Sequence, residues 1–217
     1  MPSPTVENYL KAMFSLSDAE GSVSASELGR SLGVSTPSVS SMVRKLAALD
    51  LVAYVKYQPL KLTASGRKAA ALVIRKHRLT EMFLVEKMGF GWEEVHVIAE
   101  QVEHVKSPAF FARMDKLLGY PTVDPHGSPI PSPEGTITDL RKHQKLSDRQ
   151  PGEKVRIVGL AHSSNDFLLY LNERGIALKT ALTILRREIY DGSLTVNYDD
   201  KKDVVLSKVV ADKLLVE

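Results

Sequence analysis

The sequence has no cysteine, a single tryptophan, only 6% aromatic residues and a formal net charge of only +3 over 217 residues. Without cysteine there are no disulfides and no thiolate metal ligands, as is common in a reducing compartment. No apolar run approaches the roughly 20 residues that cross a bilayer, which predicts no membrane partner. The start, Met1 to Glu7, lacks the basic and then apolar layout of a secretory signal. A cytoplasmic protein is therefore expected. A net charge this small does not argue nucleic-acid binding by itself, but Arg67, Lys68, Arg75, Lys76 and Arg78 crowd one segment. What is present, 43% hydrophobic and 25% charged residues, is enough for a real core and for two or three small domains.

The first third reads as helix, helix, turn, helix and wing. Pro4 to Asp18 is amphipathic, with Thr5 near the cap and Gly21 as a stop. Ser24 to Ser35 reads as a short helix, a Gly-containing turn and a new N-cap at Ser35 before Thr36–Leu49, where Pro37 is tolerated in the first turn. Val39, Met42, Val43, Leu46 and Leu49 are expected to face inward, leaving Ser35, Thr36, Pro37, Ser38, Ser41, Arg44 and Lys45 outside. Leu51–Val55 and Leu60–Thr63 are β-prone, with a turn at Lys56–Pro59, which makes a two-stranded wing. In winged helix-turn-helix units the third helix enters the major groove. Ser35, Pro37 and Ser38 are expected at base edges, and Arg44, Lys45 and the wing's Lys56 at phosphates.

Two later stretches gather metal-ligating residue types. Thr63 to Gly89 reads as one long helix on which His77 and Glu81, one turn apart, share a stripe with Ala70, Val73, Ile74, Leu84 and Met88. Buried polar groups need partners. The next helix, read as continuous from His96 to His104, offers them: at about 100° per residue, His96, Glu100, Glu103 and His104 fall on one side, opposite Val95, Ile98, Ala99, Val102 and Val105. An ordinary solvated face or a hydrogen-bonded core pair is the bland alternative. A divalent cation held between the helices accounts for more of the residues. Phe110, Phe111, Met114 and Leu117 mark a further helix, and the exposed apolar remainder points to a homodimer.

Residues 119–133 are dense in Pro and Gly and read as an ordered or extended connector. From Gly152 the texture changes to short strands at Val155–Val158, Ala181–Leu185, Leu194–Val196 and Val204–Leu206, with one helix from Asn165 to Arg174. That pattern predicts a small β-rich, barrel-like domain.

Several fragments in this order carry a family likeness: Glu7-Asn8-Tyr9-Leu10-Lys11, Leu62-Thr63-Ala64-Ser65-Gly66-Arg67, Arg75-Lys76-His77-Arg78-Leu79, Glu100-Gln101-Val102-Glu103-His104, and Asp124-Pro125-His126-Gly127-Ser128-Pro129-Ile130-Pro131. Over nearly its whole length the chain resembles the iron- and manganese-dependent repressors related to diphtheria toxin repressor and the manganese transport regulators. The resemblance implies a mainly α protein: a winged helix-turn-helix domain (1–63), a helical metal-binding and dimerisation domain (64–133), a linker (134–151) and an SH3-like C-terminal domain (152–217). It also implies a homodimer that binds inverted-repeat double-stranded operator DNA when charged with metal and so represses metal-uptake genes.

By the same resemblance His77, Glu81 and His96 match one set of ligand positions, and Glu100, Glu103 and His104 another. Asn8 stands where the manganese branch has Asp and the iron branch Met, and Lys11 where some manganese members have a further Glu. An amide oxygen can still ligate a hard cation, without charge. Ser163 and Asp166, with His162 nearby, match the reach-back positions of iron-type members poorly and are not carried over. Oxygen ligands with a few imidazoles, and a carboxylate at Glu100 where iron-type members have sulfur, favour Mn(II) and tolerate Fe(II).

Two other functions compete with this one. A winged-helix regulator that ignores metals requires all these ligand candidates to be ordinary polar residues. A di-metal enzyme of the ferritin type needs Glu-x-x-His on two helices, whereas Glu100-x-x-Glu103-His104 occurs once, and there is no His-Glu-x-x-His. The reading favoured is a regulator, with no enzyme activity and no small-molecule substrate.

Overall fold

The computed structural model describes residues 3–56, 58–137 and 143–217. Tyr57 of the expected wing turn and residues 138–142 of the expected linker lie outside them. The chain folds as two compact units: Met1–Thr80 with Ile98–Tyr120 and Ile130–Thr138, and Glu81–Val97 with Pro121–Pro129 and Asp139–Glu217.

In the first unit, α1 (Pro4–Leu16) is capped by Ser3, whose hydroxyl accepts the Val6 N–H, with Pro4 at the first helical position. Ser3 takes the role expected of Thr5 because proline's fixed φ and missing donor suit the position just after a cap. The helix ends at Leu16 rather than Asp18, where Ser17 bonds back to the Met13 carbonyl. β1 (Ser22–Val23) precedes α2 (Ala25–Leu32), which opens with a reciprocal capping box between Ser24 and Glu27 and closes on left-handed Gly33. α3 (Thr36–Ala48) begins at cap Ser35. Its Val39, Val43 and Leu46 are buried with Leu10, Met13 and Leu28 in one core. Leu49, expected inward, is exposed: it is the C-cap, past the end of the helical stripe.

β2 (Val52–Ala53) and β3 (Leu60–Leu62) form the wing. The sheet has three strands in the order β1-β3-β2, not two, since Ser22–Val23 pairs with Leu60–Lys61. Two residues are too few for alternation to announce a strand. α4 (Ala64–Met88) starts where Thr63 Oγ1 accepts the Gly66 N–H. Gly66 is obligatory there, because a Cβ would sit 1.9 Å from the Leu51 carbonyl oxygen. Of the expected α4 stripe, Ala70, Val73, Ile74, His77, Glu81 and Leu84 are buried, but Met88, the last helical residue, is exposed. α5 (Val95–Val102) is followed by α6 (Pro108–Leu117), capped by Ser107. Within the first unit, Arg75 on α4 donates to Asp115 on α6 at 2.5 Å and to the Pro131 carbonyl at 2.6 Å.

The second unit is built on a six-stranded sheet in the order β4-β9-β5-β6-β7-β8. The strands are β4 (Gln144–Lys145), β5 (Lys154–Leu160), β6 (Ala181–Arg187), β7 (Leu194–Tyr198), β8 (Lys201–Leu206) and β9 (Leu214–Val216). α7 runs from Asn165 to Arg174, as expected, and stops at left-handed Gly175; α8 is one turn, Lys208–Ala211. Leu146, Ile157, Leu171, Leu182, Ile184, Leu194 and Leu214 are among the residues of its core. β4 and the 3-10 turn after it lie inside the stretch expected as linker, because Gln144–Lys145 pairs with the chain's last strand. Such pairing between distant short segments has no local signal. The connector is ordered by a loop from Val123 to Pro129, closed by an antiparallel bridge. At its tip Gly127 has φ +83°, and a Cβ there would fall 2.3 Å from the Val158 carbonyl oxygen. The loop's backbone therefore lies directly against β5, and Leu160 N–H donates to the His126 carbonyl.

Candidate metal centre

In the first unit, α1 meets the end of α5 through charged side chains. Lys11 Nζ lies 2.6 Å from Glu100 Oε1 and 2.8 Å from Glu103 Oε1. His77 Nδ1 on α4 is 2.6 Å from Glu103 Oε2, and His104 Nδ1 is 2.6 Å from Glu7 Oε2. Lys76 donates to the Glu103 carbonyl and stands 3.5 Å from Glu7 Oε1. Burial by itself would push the Glu103 carboxyl up, but hydrogen bonds from His77 and Lys11, with the charge of Lys11, hold it below the ordinary glutamate range.

The expected single stripe from His96 to His104 is corrected here. α5 ends at Val102, so Glu103 and His104 belong to the turn that follows. Val95, Ala99 and Glu103 are all fully buried, so Glu103 is enclosed with the apolar residues and not presented on a polar face. His96 leaves the group altogether: its side chain is 64% exposed and its Nδ1 is 3.3 Å from Glu81 Oε1, a contact of the second unit. Helix periodicity does not apply beyond the last turn, which is why the wheel misplaced these residues.

Asn8 follows Glu7 on α1, and its buried Oδ1 has no hydrogen-bond partner. A buried acceptor without a partner is uncommon in a folded protein and needs an explanation. Glu103 Oε1 likewise receives no well-aligned hydrogen bond. Carboxylates, an amide oxygen and imidazoles form the donor set a hard or borderline divalent cation prefers, and the bridging Lys11 ammonium shows that the carboxylates already hold positive charge. The residues fit a metal. Glu7 and Lys11 are the members of this cluster that helix periodicity did not single out; their i, i+4 spacing on α1 was the available signal.

In the second unit, Glu81, Asp124 and His126 come together as buried residues. Asp124 and His126 lie in the Pro- and Gly-rich loop and were not expected as ligands. Ser163, Asp166 and His162 are exposed. Of the residues expected at DNA, Ser35, Thr36, Pro37, Ser38, Ser41, Arg44 and Lys45 are all exposed along α3, as is Lys56 after β2. Ser35 and Ser38 hydroxyls bond each other at 2.9 Å.

Family models match three successive stretches: the N-terminal DNA binding domain of the iron dependent repressors over 1–60, their metal binding and dimerisation domain over 63–132, and the FeoA domain over 144–217. The chain is 38% identical to the iron-dependent repressor IdeR of Mycobacterium leprae over 192 residues, 83% of each chain. It is 31% identical to the HTH-type transcriptional regulator MntR of Oceanobacillus iheyensis, over 70% of this chain and 97% of that one. A solved manganese-dependent transcriptional repressor in complex with manganese matches with a TM-score of 0.85 at 34% identity, covering 97% of this chain and 98% of that one. The structure of ScaR with bound zinc matches with a TM-score of 0.78 at 31% identity, covering 100% and 99%. The chain belongs to the family of metal-dependent, DNA-binding transcriptional repressors. Its architecture is accordingly an N-terminal DNA-binding domain, a helical dimerisation domain and a C-terminal β-rich, SH3-like domain.

Proposed function

We propose that the chain is a Mn(II)-activated repressor of metal-uptake genes that binds an inverted-repeat operator as a homodimer in the cytoplasm, with Fe(II) as the second candidate effector. It acts as a regulator, without enzyme activity or a small-molecule substrate. One observation carries the reading: α1 of the DNA-binding domain and the end of α5 are joined through Lys11, Glu100 and Glu103, and α1 also carries the buried Asn8 oxygen that has no partner. The manganese held by the solved relative, and the oxygen-rich donor set, favour Mn(II).

Asn8, Glu100, Glu103 and His104 are the ligands proposed for one site. His77, Glu81 and His96 are those proposed for the other: His77 and Glu81 stand one turn apart on α4, and His96 bonds Glu81. A bound cation would supply positive charge between Glu100 and Glu103. Lys11 supplies that charge from α1 in the protein alone. Glu7 and Lys76 orient His104 and the Glu103 main chain. With α1 tied to α5, α3 of each protomer is presented so that two half-sites about 34 Å apart are reached together. Ser35, Pro37 and Ser38 would meet bases, with Thr36 and Ser41 on the same exposed face, and Arg44, Lys45 and Lys56 would meet phosphates.

Operator-binding titrations run in parallel with Mn(II), Fe(II), Zn(II) and chelator test this. Tight binding in Mn(II) that is lost in chelator is expected. Equal binding in chelator would replace it with the metal-independent regulator, and activation by low Fe(II) with failure at high Mn(II) would change the ion.

A further inference from the structure

We propose that the first unit contains a binding site for a small apolar carboxylate, in a hollow walled by α1, α4 and α6. The ligand is a second effector, coupled to the metal because it bridges α1 to α4 and α6. The coupling rests on the reading of Glu103 and His104 as ligands; the binding itself does not.

The hollow has a volume of about 480 Å³, within the roughly 300 to 1,000 Å³ of small-molecule sites. Its walls are Leu10 of α1, Ala69, Leu72 and Val73 of α4, and Pro108 and Phe111 of α6. Leu10, Val73 and Phe111 are buried, so the hollow reaches core side chains and is not a shallow surface patch. Protein interiors leave few voids larger than a water molecule. Water is held poorly between such walls, because an ordered water needs about two to four polar partners and these side chains offer none. An apolar body that displaces it gains the free energy of taking apolar surface out of water.

Charge decides the class of ligand. Three cations, Arg75, Lys76 and Lys106, and two carboxylates, Glu7 and Asp115, border the hollow. Arg75 lies 2.5 Å from Asp115 and also donates to the Pro131 carbonyl. Lys76 lies 3.5 Å from Glu7 and donates to the Glu103 carbonyl. Those four are matched. Lys106 is exposed and, among the described residues, has no ion-pair partner. An anionic head on an apolar body meets this surplus cation, whereas a cationic head is repelled by it.

Position supplies the coupling. Glu7 Oε2 lies 2.6 Å from His104 Nδ1, and Lys76 holds the Glu103 carbonyl, so two residues bordering the hollow also belong to the charged cluster. A ligand that touches α1 on one side and α4 and α6 on the other restrains the joint that the proposed metal restrains. Ordering already done by one ligand is not required again of the other, and each tightens the other by the same factor.

Decanoate is the probe, titrated calorimetrically into the full-length metal-free protein below its micellar range, with decanol and decylammonium as controls. One decanoate per chain is expected, bound about tenfold tighter than decanol, as one charge-assisted hydrogen bond implies, with decylammonium weaker still. Lys106→Gln should bring decanoate down to the level of decanol and leave decanol unchanged. Leu72→Trp, which fills the hollow from α4, should abolish binding of both, with thermal melts to verify folding; should it not fold, Lys106→Gln, at an exposed position, carries the test alone. Decanoate should also tighten Mn(II) binding by about fivefold. No saturable decanoate binding, or parent-like decanoate binding in either folded variant, overturns the site. A monomer produced by decanoate or by Leu72→Trp, seen by light scattering, would assign the hollow to a second copy of the chain and overturn it too. If decanoate binds as expected but Mn(II) affinity does not change, the coupling falls and the site stands. If operator binding proves independent of metal while decanoate binding still depends on Lys106 and Leu72, the functional proposal falls and this site stands.

Discussion

Lys11 and Glu103 form an ion pair at 2.8 Å in which the carboxylate is wholly buried and the ammonium comes from α1 of the DNA-binding domain. Lys11 thus holds the carboxylates that the proposed metal needs. Lys11→Ala should tighten Mn(II) binding by about ten- to a hundredfold, the equivalent of one charge-assisted hydrogen bond of about 1.5 to 3 kcal/mol. The metal-free variant should melt earlier, since it leaves buried carboxylates without their cation. Calorimetric titration and melting curves check both; unchanged Mn(II) affinity would mean that Lys11 does not compete for the site.

Glu103→Ala should abolish metal-dependent operator binding while the dimer stays folded, measured by mobility shift with Mn(II) and by light scattering. Asn8→Asp should act in the opposite direction on metal affinity, because it adds charge at an oxygen that has no partner now. Coupling is reciprocal, so operator DNA must tighten metal binding by the same factor that metal tightens DNA binding, about 1 to 3 kcal/mol. Identical metal affinity with and without operator would rule out this switch.

Arg44 is exposed on α3, beyond the first turn where Ser35 and Ser38 sit. As a phosphate contact, its replacement by Ala should weaken binding to all sequences about equally and lower the salt slope by about one. A changed base preference at constant salt slope would instead assign Arg44 to base readout.

The α2 capping box should make part of the first unit's stability acid-sensitive. The Ser24 hydroxyl, then the Ser24 backbone N–H, hold the Glu27 carboxyl below its ordinary pKa. A folded-state pKa depressed in this way gives stabilisation that is fully present above the unfolded glutamate value and lost as pH falls through the folded one. Ser24→Ala should lower the melting temperature near pH 7 and flatten its decline toward about pH 3. A difference from the parent that stays constant with pH would show that Glu27 is not involved.

Gly66→Ala should destabilise the first unit by about 1 to 3 kcal/mol, the usual cost of overpacking, since its Cβ would meet a main-chain oxygen that cannot rotate away. Denaturant titration reads this directly.

Local chemistry was enough for much of this protein. Ser35 and Pro37 announced the start of α3, Gly175 the end of α7, and Thr63 and Gly89 bracketed α4, because caps and stops are hydrogen bonds and dihedral preferences made within a few residues. Helical spacing and the family resemblance together pointed to His77, Glu81, Glu100, Glu103 and His104, and the order of short fragments was sufficient for the family. Tertiary structure decided how these residues combine. Lys11 reaches Glu103 across 92 positions and Trp92 reaches Asn172 across 80, separations over which periodicity carries no information. It also decided that β1 and β9, two and three residues long, are strands, since their hydrogen bonds go only to distant partners. His126 gains its meaning the same way: in sequence it is one histidine in a proline-rich loop, and only the closure of that loop on β5 and Trp92 turns its Nδ1 toward two buried carboxylates.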